Sequence, residues 1–223
     1  MGIFSGVKAV ILDLDGTLVS VRERFYRVFS DTLKAHGLPE VGEREFLERF
    51  SANRLEDFLG SADRREFWRD FLQAYGRSHR ELSKVLPGAK EALAGLKRAG
   101  FKVGVITGRL CDPAEVQAEL EGLGLAGWVN VIVTKQLVEA ELEPEQIFSR
   151  SEELARALQE LGARPSEALL VADYVEDIKS AKSLGLRAVA VLSGSSSPEL
   201  LRSAGPDLVL RDLSELARLL EKI

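Results

Sequence analysis

Two textures divide the chain. The first apolar run, "VKAVILD", is short, rich in β-branched residues and ends at an aspartate, the form of a buried strand. From Val19 to about Lys84 the apolar positions recur at helical spacing. Phe25 and Phe29, Phe46 and Phe50, and Phe67, Phe71 and Tyr75 stand four residues apart, so each set shares a helix face. Ten of the fifteen aromatic residues fall in this stretch, which predicts a small helical bundle with an aromatic core. Beyond it, strand and helix patterns alternate. A helix over about 88–99 ends at Gly100, a good C-cap residue, and "KVGVI" follows as a strand. A helix starts near Pro113, and "WVNVIV" reads as a strand. Then come the amphipathic helix "SRSEELARALQELG", the strand "ALLVA", the helix "EDIKSAKSLG" and the strand "RAVAVL". The turn-rich "LSGSSSPEL" leads to a short helix, the short strand "DLVL" and the closing helix "LSELARLLEKI". Short buried strands separated by helices predict an α/β fold with a parallel sheet covered on both faces. The helical stretch is then an insertion between the first strand and its neighbours.

Composition narrows the classes. With 223 residues and 45% hydrophobic content, the chain can build one substantial core with a smaller insert. A net charge of -5 and the lack of a basic tract argue against a nucleic-acid partner. No apolar run approaches the roughly 20 residues that span a bilayer, and the N-terminus does not read as a signal peptide; the expected location is the cytoplasm. Cys111 is the only cysteine, so no intrachain disulfide can form.

In open parallel sheets ligands bind outside the C-terminal strand ends. After "AVIL" stand Asp13, Asp15 and Thr17; after "VGVI", Thr107, Gly108 and Arg109; after "VNVIV", Thr134 and Lys135; after "LLVA", Asp173 and, four residues on, Asp177. One aspartate at a strand end is commonly a cap or turn residue. Several from separate strands repel one another unless a cation sits among them. All-oxygen ligands suit Mg²⁺ better than zinc. A Thr-Gly turn can hold a phosphate oxygen through its hydroxyl and backbone N–H groups. The set fits a metal-bound phosphate attacked by a carboxylate.

"DLDGTL", "VITGR" and "VADYVEDIKSAKSLG" resemble the first, second and fourth motifs of the haloacid dehalogenase superfamily. The resemblance implies a Rossmann-like core over 1–18 and 85–223, with a type-1 helical cap domain over 19–84. It further implies an Mg²⁺-dependent phosphatase acting on a small phosphorylated metabolite. Asp13 would be the nucleophile, and Asp15 the general acid and base that also offers its backbone carbonyl to the metal. Thr107 and Gly108 would hold the phosphoryl group, Asp173 would ligate Mg²⁺, and Asp177 would support the metal shell. In this architecture the cap selects the leaving group. Its aromatic content suits an apolar or planar one, and packing within the bundle accounts for the same residues.

Two positions depart from the family pattern. Ala172 replaces the usual glycine before Asp173. The third motif normally carries a lysine in a "KPxPxxF"-like stretch; here the stretch reads "ELEPEQIF", and alignment on Pro144 puts Glu141 in the lysine's place. Lys135, at a strand end, is the candidate replacement; Arg150 and Arg109 are weaker ones, Arg109 being placed to face the cap. The missing lysine opens one alternative, a phosphate- or metabolite-binding protein with impaired catalysis; a phosphomutase with the same site and a more closed cap is another.

Overall fold

A computed structural model describes residues 2–135, 148–194 and 196–223. Its centre is a six-stranded parallel sheet ordered β5-β4-β1-β6-β7-β8. The strands are β1 Ala9–Asp13, β4 Lys102–Thr107, β5 Val131–Thr134, β6 Ala168–Ala172, β7 Arg187–Val191 and β8 Leu208–Leu210. The chain leaves the central strand β1 and later returns to both sides of it, through β4 and β6. That reversal makes the switch point at which open α/β sheets bind ligands.

Alternate residues of each inner strand feed opposite faces. Val10, Leu12, Val105 and Val171 enter one apolar cluster, and Ile11, Ile106, Leu170 and Ala172 the other. The first cluster is covered by α4 (Ala89–Arg98), α5 (Pro113–Gly122) and α9 (Leu213–Leu220). The second is covered by α6 (Ser151–Leu161), α7 (Val175–Ser183) and α8 (Pro198–Ser203). The predicted "WVNVIV" strand is shorter than its pattern. Ala126–Trp128 forms a 3₁₀ turn, and the Asn130 side chain accepts the Val103 backbone N–H at 2.9 Å, so pairing starts at Val131.

Between β1 and α4 the chain builds the helical insert: α1 Arg22–Ala35, α2 Glu43–Ser51, a 3₁₀ turn Leu55–Phe58 and α3 Arg64–Arg77. The Asp63 side chain caps α3 by accepting from the backbone N–H groups of Arg65 and Glu66. Phe29, Phe46 and Phe67 are fully buried together, as the helical spacing predicts. The insert leaves and rejoins the sheet through one antiparallel ribbon, β2 (Val19–Ser20) against β3 (Lys84–Val85). The buried Arg24 ties its base together, donating to the carbonyls of Tyr75 and Ser78. At Gly76 a Cβ would come within 2.5 Å of the Leu110 carbonyl oxygen, so α3 approaches the loop after β4 only because a glycine stands there.

Candidate active site

β1, β4 and β6 end side by side, which brings Asp13 and Thr107, the last residues of β1 and β4, and Asp173, the residue after β6, to one edge. Asp13 is 4% exposed. Burial holds its carboxyl well above the usual range, repulsion from Asp177, Asp173 and Asp15 adds to that, and Arg150 opposes it. Asp177, at the first turn of α7, is pushed up to about 7, by burial first and then by Asp173 and Glu153 against the pull of Arg150. Its Oδ1 is buried and, among the described residues, accepts no hydrogen bond. The Asp173 carboxylate receives the Thr17 hydroxyl at 3.0 Å. It fits between Gly16, in the left-handed region at φ 93°, and Gly194; a Cβ at either position would overlap it.

Asp15 points to the other side of this edge. Its carboxylate is gripped by Arg109, with Nε–Oδ2 at 2.9 Å and Nη2–Oδ1 at 2.6 Å. It also accepts from the hydroxyls of Thr107 at 2.9 Å and Tyr75 at 3.1 Å. Burial pushes the Asp15 carboxyl up, but Arg109 and then Arg24 outweigh it, and the net position is below the ordinary value. Arg109 is 1% exposed, lies over the Tyr75 ring and also pairs with Glu119 at 2.5 Å. It therefore reaches the insert's face and the first-motif aspartate together. The Thr107 hydroxyl, expected on a phosphoryl group, is directed here at Asp15.

The cation beside Asp13 is Arg150. It precedes α6, with its backbone N–H bonded to the Ser180 hydroxyl at 3.1 Å. Its side chain crosses Gly108, where a Cβ would overlap the guanidinium. Its Nε lies 3.6 Å from Asp177 Oδ1 and has no hydrogen-bond partner among the described residues. Lys135 stands behind it, 6% exposed, paired with Glu153 at 3.3 Å and donating to the Ser149 carbonyl at 3.0 Å. It does not line the cavity that holds the aspartates, whereas Arg150 and Gly108 do. Burial, then Arg150, lower the Lys135 ammonium's pKa. Glu141 and the rest of "LVEAELEPEQI" lie outside the described residues.

Sequence reasoning ranked Arg150 below Lys135 and did not single out Gly194 or Tyr75 for the site. Arg150 was signalled by its place at the start of the helix that leads into β6. Gly194 sits in the turn-rich loop that follows the "RAVAVL" strand. Tyr75 shares its helical spacing with Phe67 and Phe71, which gives no sign of a bond to Asp15.

The cavity over this edge measures about 690 Å³, and the insert forms its far wall. The insert is tied to the core beside it: Tyr174 Oη donates to the Asn53 side-chain oxygen at 3.0 Å, and Arg22 donates to the Gly194 carbonyl at 2.8 Å.

Known proteins resemble the chain in sequence and fold. A model of the haloacid dehalogenase-like hydrolase family matches residues 10–191. The pyrophosphatase PpaX of Bacillus cereus is 30% identical over 217 residues, which cover 96% of each chain. A haloacid dehalogenase-like hydrolase from Streptococcus pneumoniae superposes with a TM-score of 0.73 at 20% identity, over 96% of this chain and 99% of that one. CbbY from Rhodobacter sphaeroides, solved with phosphate, superposes with a TM-score of 0.65 at 26% identity, over 94% and 96% of the two chains. The family match spans the strands that carry Asp13, Thr107 and Asp173, and the chain belongs to the haloacid dehalogenase-like hydrolases.

Proposed function

We propose that the protein is a phosphatase that hydrolyses a small phosphorylated metabolite through an aspartyl-phosphate on Asp13. The observation that carries this reading is Asp13 itself, buried at the end of the central strand with Arg150 and Gly108 beside it on one cavity. An Asp13 oxygen attacks phosphorus, the bond to the leaving oxygen breaks, and that oxygen takes a proton from Asp15. Water then gives a proton to Asp15 and attacks the aspartyl-phosphate, releasing phosphate and restoring both carboxyls. Arg150 offsets the negative charge on the phosphoryl oxygens, the task the family gives to a third-motif cation. The Gly108 backbone and the Thr107 hydroxyl complete the phosphoryl cradle once Thr107 turns from Asp15. Asp15 is held ionised by Arg109 in this state, which is the form the water step needs. The proton-donating form requires Asp15 to leave that grip, and Tyr75 of the insert bonds the same carboxylate. The insert thus acts as a cap whose position bears on the general acid.

The donor set fits Mg²⁺. Its members are oxygens only, and Asp177 Oδ1 is a buried acceptor without a donor. Among the described residues no three His, Cys, Asp or Glu side chains form a metal cage alone. Asp13, the Asp15 carbonyl, Asp173 and Asp177 would hold the ion. Bound there, it would offset the carboxylates and polarise the phosphoryl group. The non-catalytic alternative arose from a missing cation, and Arg150 supplies one.

A panel of phosphate esters assayed with Mg²⁺ tests the reading. Turnover in the wild type should fall by about 10³-fold or more in Asp13→Asn. Turnover that survives Asp13→Asn at the wild-type rate removes the nucleophile and the mechanism with it.

A further inference from the structure

Most of the rings that line the cavity come from the insert, Phe25 and Phe50 among them, and form an aromatic wall. Charges are set along this wall, and most are answered within the protein. Arg54 pairs with Asp57 at 2.6 Å, Arg64 with Glu56 at 2.9 Å and Lys179 with Glu176 at 2.8 Å. Below them Arg109 grips Asp15, and Arg150 faces Asp13 and Asp177. Arg22 differs. It is exposed, lines the cavity and, among the described residues, meets no carboxylate within ion-pair distance. Its Nη2 donates to the Gly194 carbonyl at 2.8 Å, and a neutral carbonyl leaves the charge in place.

A second donor stands near the same anchor. Asn53 is exposed, lines the cavity and takes the left-handed region at φ 55°, which asparagine tolerates better than most residues. Its side-chain oxygen accepts the Tyr174 hydroxyl at 3.0 Å. That bond leaves the amide NH₂ group to donate, and no acceptor answers it among the described residues. Gly194 packs against the Asp173 carboxylate, and Tyr174 is the next residue in the chain. Both donors of the insert are therefore anchored on the Asp173 side of the edge. The other side is filled by Asp15 with Arg109 and Tyr75.

We infer that Arg22 and Asn53 determine specificity by binding a second anionic oxygen group, carried on the leaving group. The phosphoryl group would sit at Asp13, and the rest of the molecule would extend into the cavity towards the insert. A carboxylate and a second phosphate offer the same chemistry there, oxygens that accept from the guanidinium and the amide together. The inference deepens the phosphatase reading and rests on it.

The test uses two pairs of monoesters, matched in size and differing in the second group. 3-(Phosphonooxy)propanoate is set against its amide, and propane-1,3-diol bisphosphate against 3-hydroxypropyl phosphate. The anionic member of at least one pair should exceed its neutral partner in kcat/KM by about tenfold or more, the worth of one hydrogen bond to a charged group. In Arg22→Gln that ratio should fall by about tenfold, and Arg22→Lys, which keeps the charge without the fork, should recover part of it. Asn53→Asp keeps the acceptor for Tyr174 and puts a repelling oxygen in place of the NH₂ group, so the ratio should fall there too. The pair that responds tells carboxylate from phosphate. Wild-type ratios near one in both pairs overturn the inference, and so does an equal loss on anionic and neutral members in Arg22→Gln. Inactivity towards all four esters and acetyl phosphate counts against the phosphatase reading. The phosphonate counterparts of the four esters then decide this inference by calorimetric titration. The anionic member should bind about tenfold more tightly in the wild type and lose that advantage in Arg22→Gln; equal affinities within both pairs overturn it.

Discussion

Arg150 and Lys135 are fifteen residues apart in the chain and neighbours in space, yet their environments assign them different work. Arg150 faces the aspartates across Gly108, while Lys135 answers a buried glutamate. Arg150→Ala should lower kcat/KM by about 10²- to 10³-fold, the usual loss on removing one charge-stabilising group, with partial recovery in Arg150→Lys. Lys135→Met leaves Glu153 buried beside only one cation, and breaking a buried pair costs about 3 kcal/mol or more. Its thermal midpoint should fall clearly, and its kcat should change less than that of Arg150→Ala. Steady-state kinetics and calorimetry on the three variants check this; a larger kcat loss in Lys135→Met than in Arg150→Ala would reverse the assignment. The sequence favoured Lys135 because it follows a strand directly. Arg150 lies before a helix, and only the packing of that helix against β4 and β5 brings its guanidinium across the Thr-Gly turn.

The strands and helices of the core were legible because their signals are local: runs of β-branched residues, glycines at helix ends and Pro113 at a helix start. The Asp112 side chain and Glu115 complete a capping box at that same start. Loops are harder, because a loop residue takes its meaning from partners brought by other elements. The β7–α8 loop shows this. Gly194 looks like one more turn glycine until β6 places the Asp173 carboxylate against it. Gly194→Ala should leave the far-ultraviolet circular dichroism unchanged, since the position does not require a positive φ. The methyl group must displace Asp173, so Mg²⁺-dependent turnover should drop by about tenfold or more, as when the supports of a metal ligand are disturbed. Wild-type turnover and Mg²⁺ response in this variant would show that Asp173 moves freely.

For the molecule as a whole, the crowded carboxylates link stability to pH. Asp177 is raised from an unfolded value of about 4 to about 7 in the folded protein. Its contribution to stability is therefore complete below the unfolded value and is lost as pH rises through about 7. Without metal, this group should make the protein less stable at pH 8 than at pH 5.5. Mg²⁺ binds the ionised carboxylates and stabilises by mass action, so its addition should raise the thermal midpoint more at pH 8 than at pH 5.5. Scanning calorimetry at the two pH values, with and without 10 mM Mg²⁺ (about that concentration to saturate a weak site), checks the sign; an equal or smaller rise at pH 8 contradicts it.

The β2–β3 ribbon has a consequence beyond packing. The insert both leaves and rejoins the core within two short strands that pair with each other. Everything between them can change length, sequence or helix count without altering the register of the parallel sheet. The aspartates at the strand ends belong to the sheet, whereas most of the aromatic wall belongs to the insert. The reaction and the choice of what undergoes it are therefore separately heritable, joined at one seam where a foreign insert could be spliced and a new substrate range acquired in a single step.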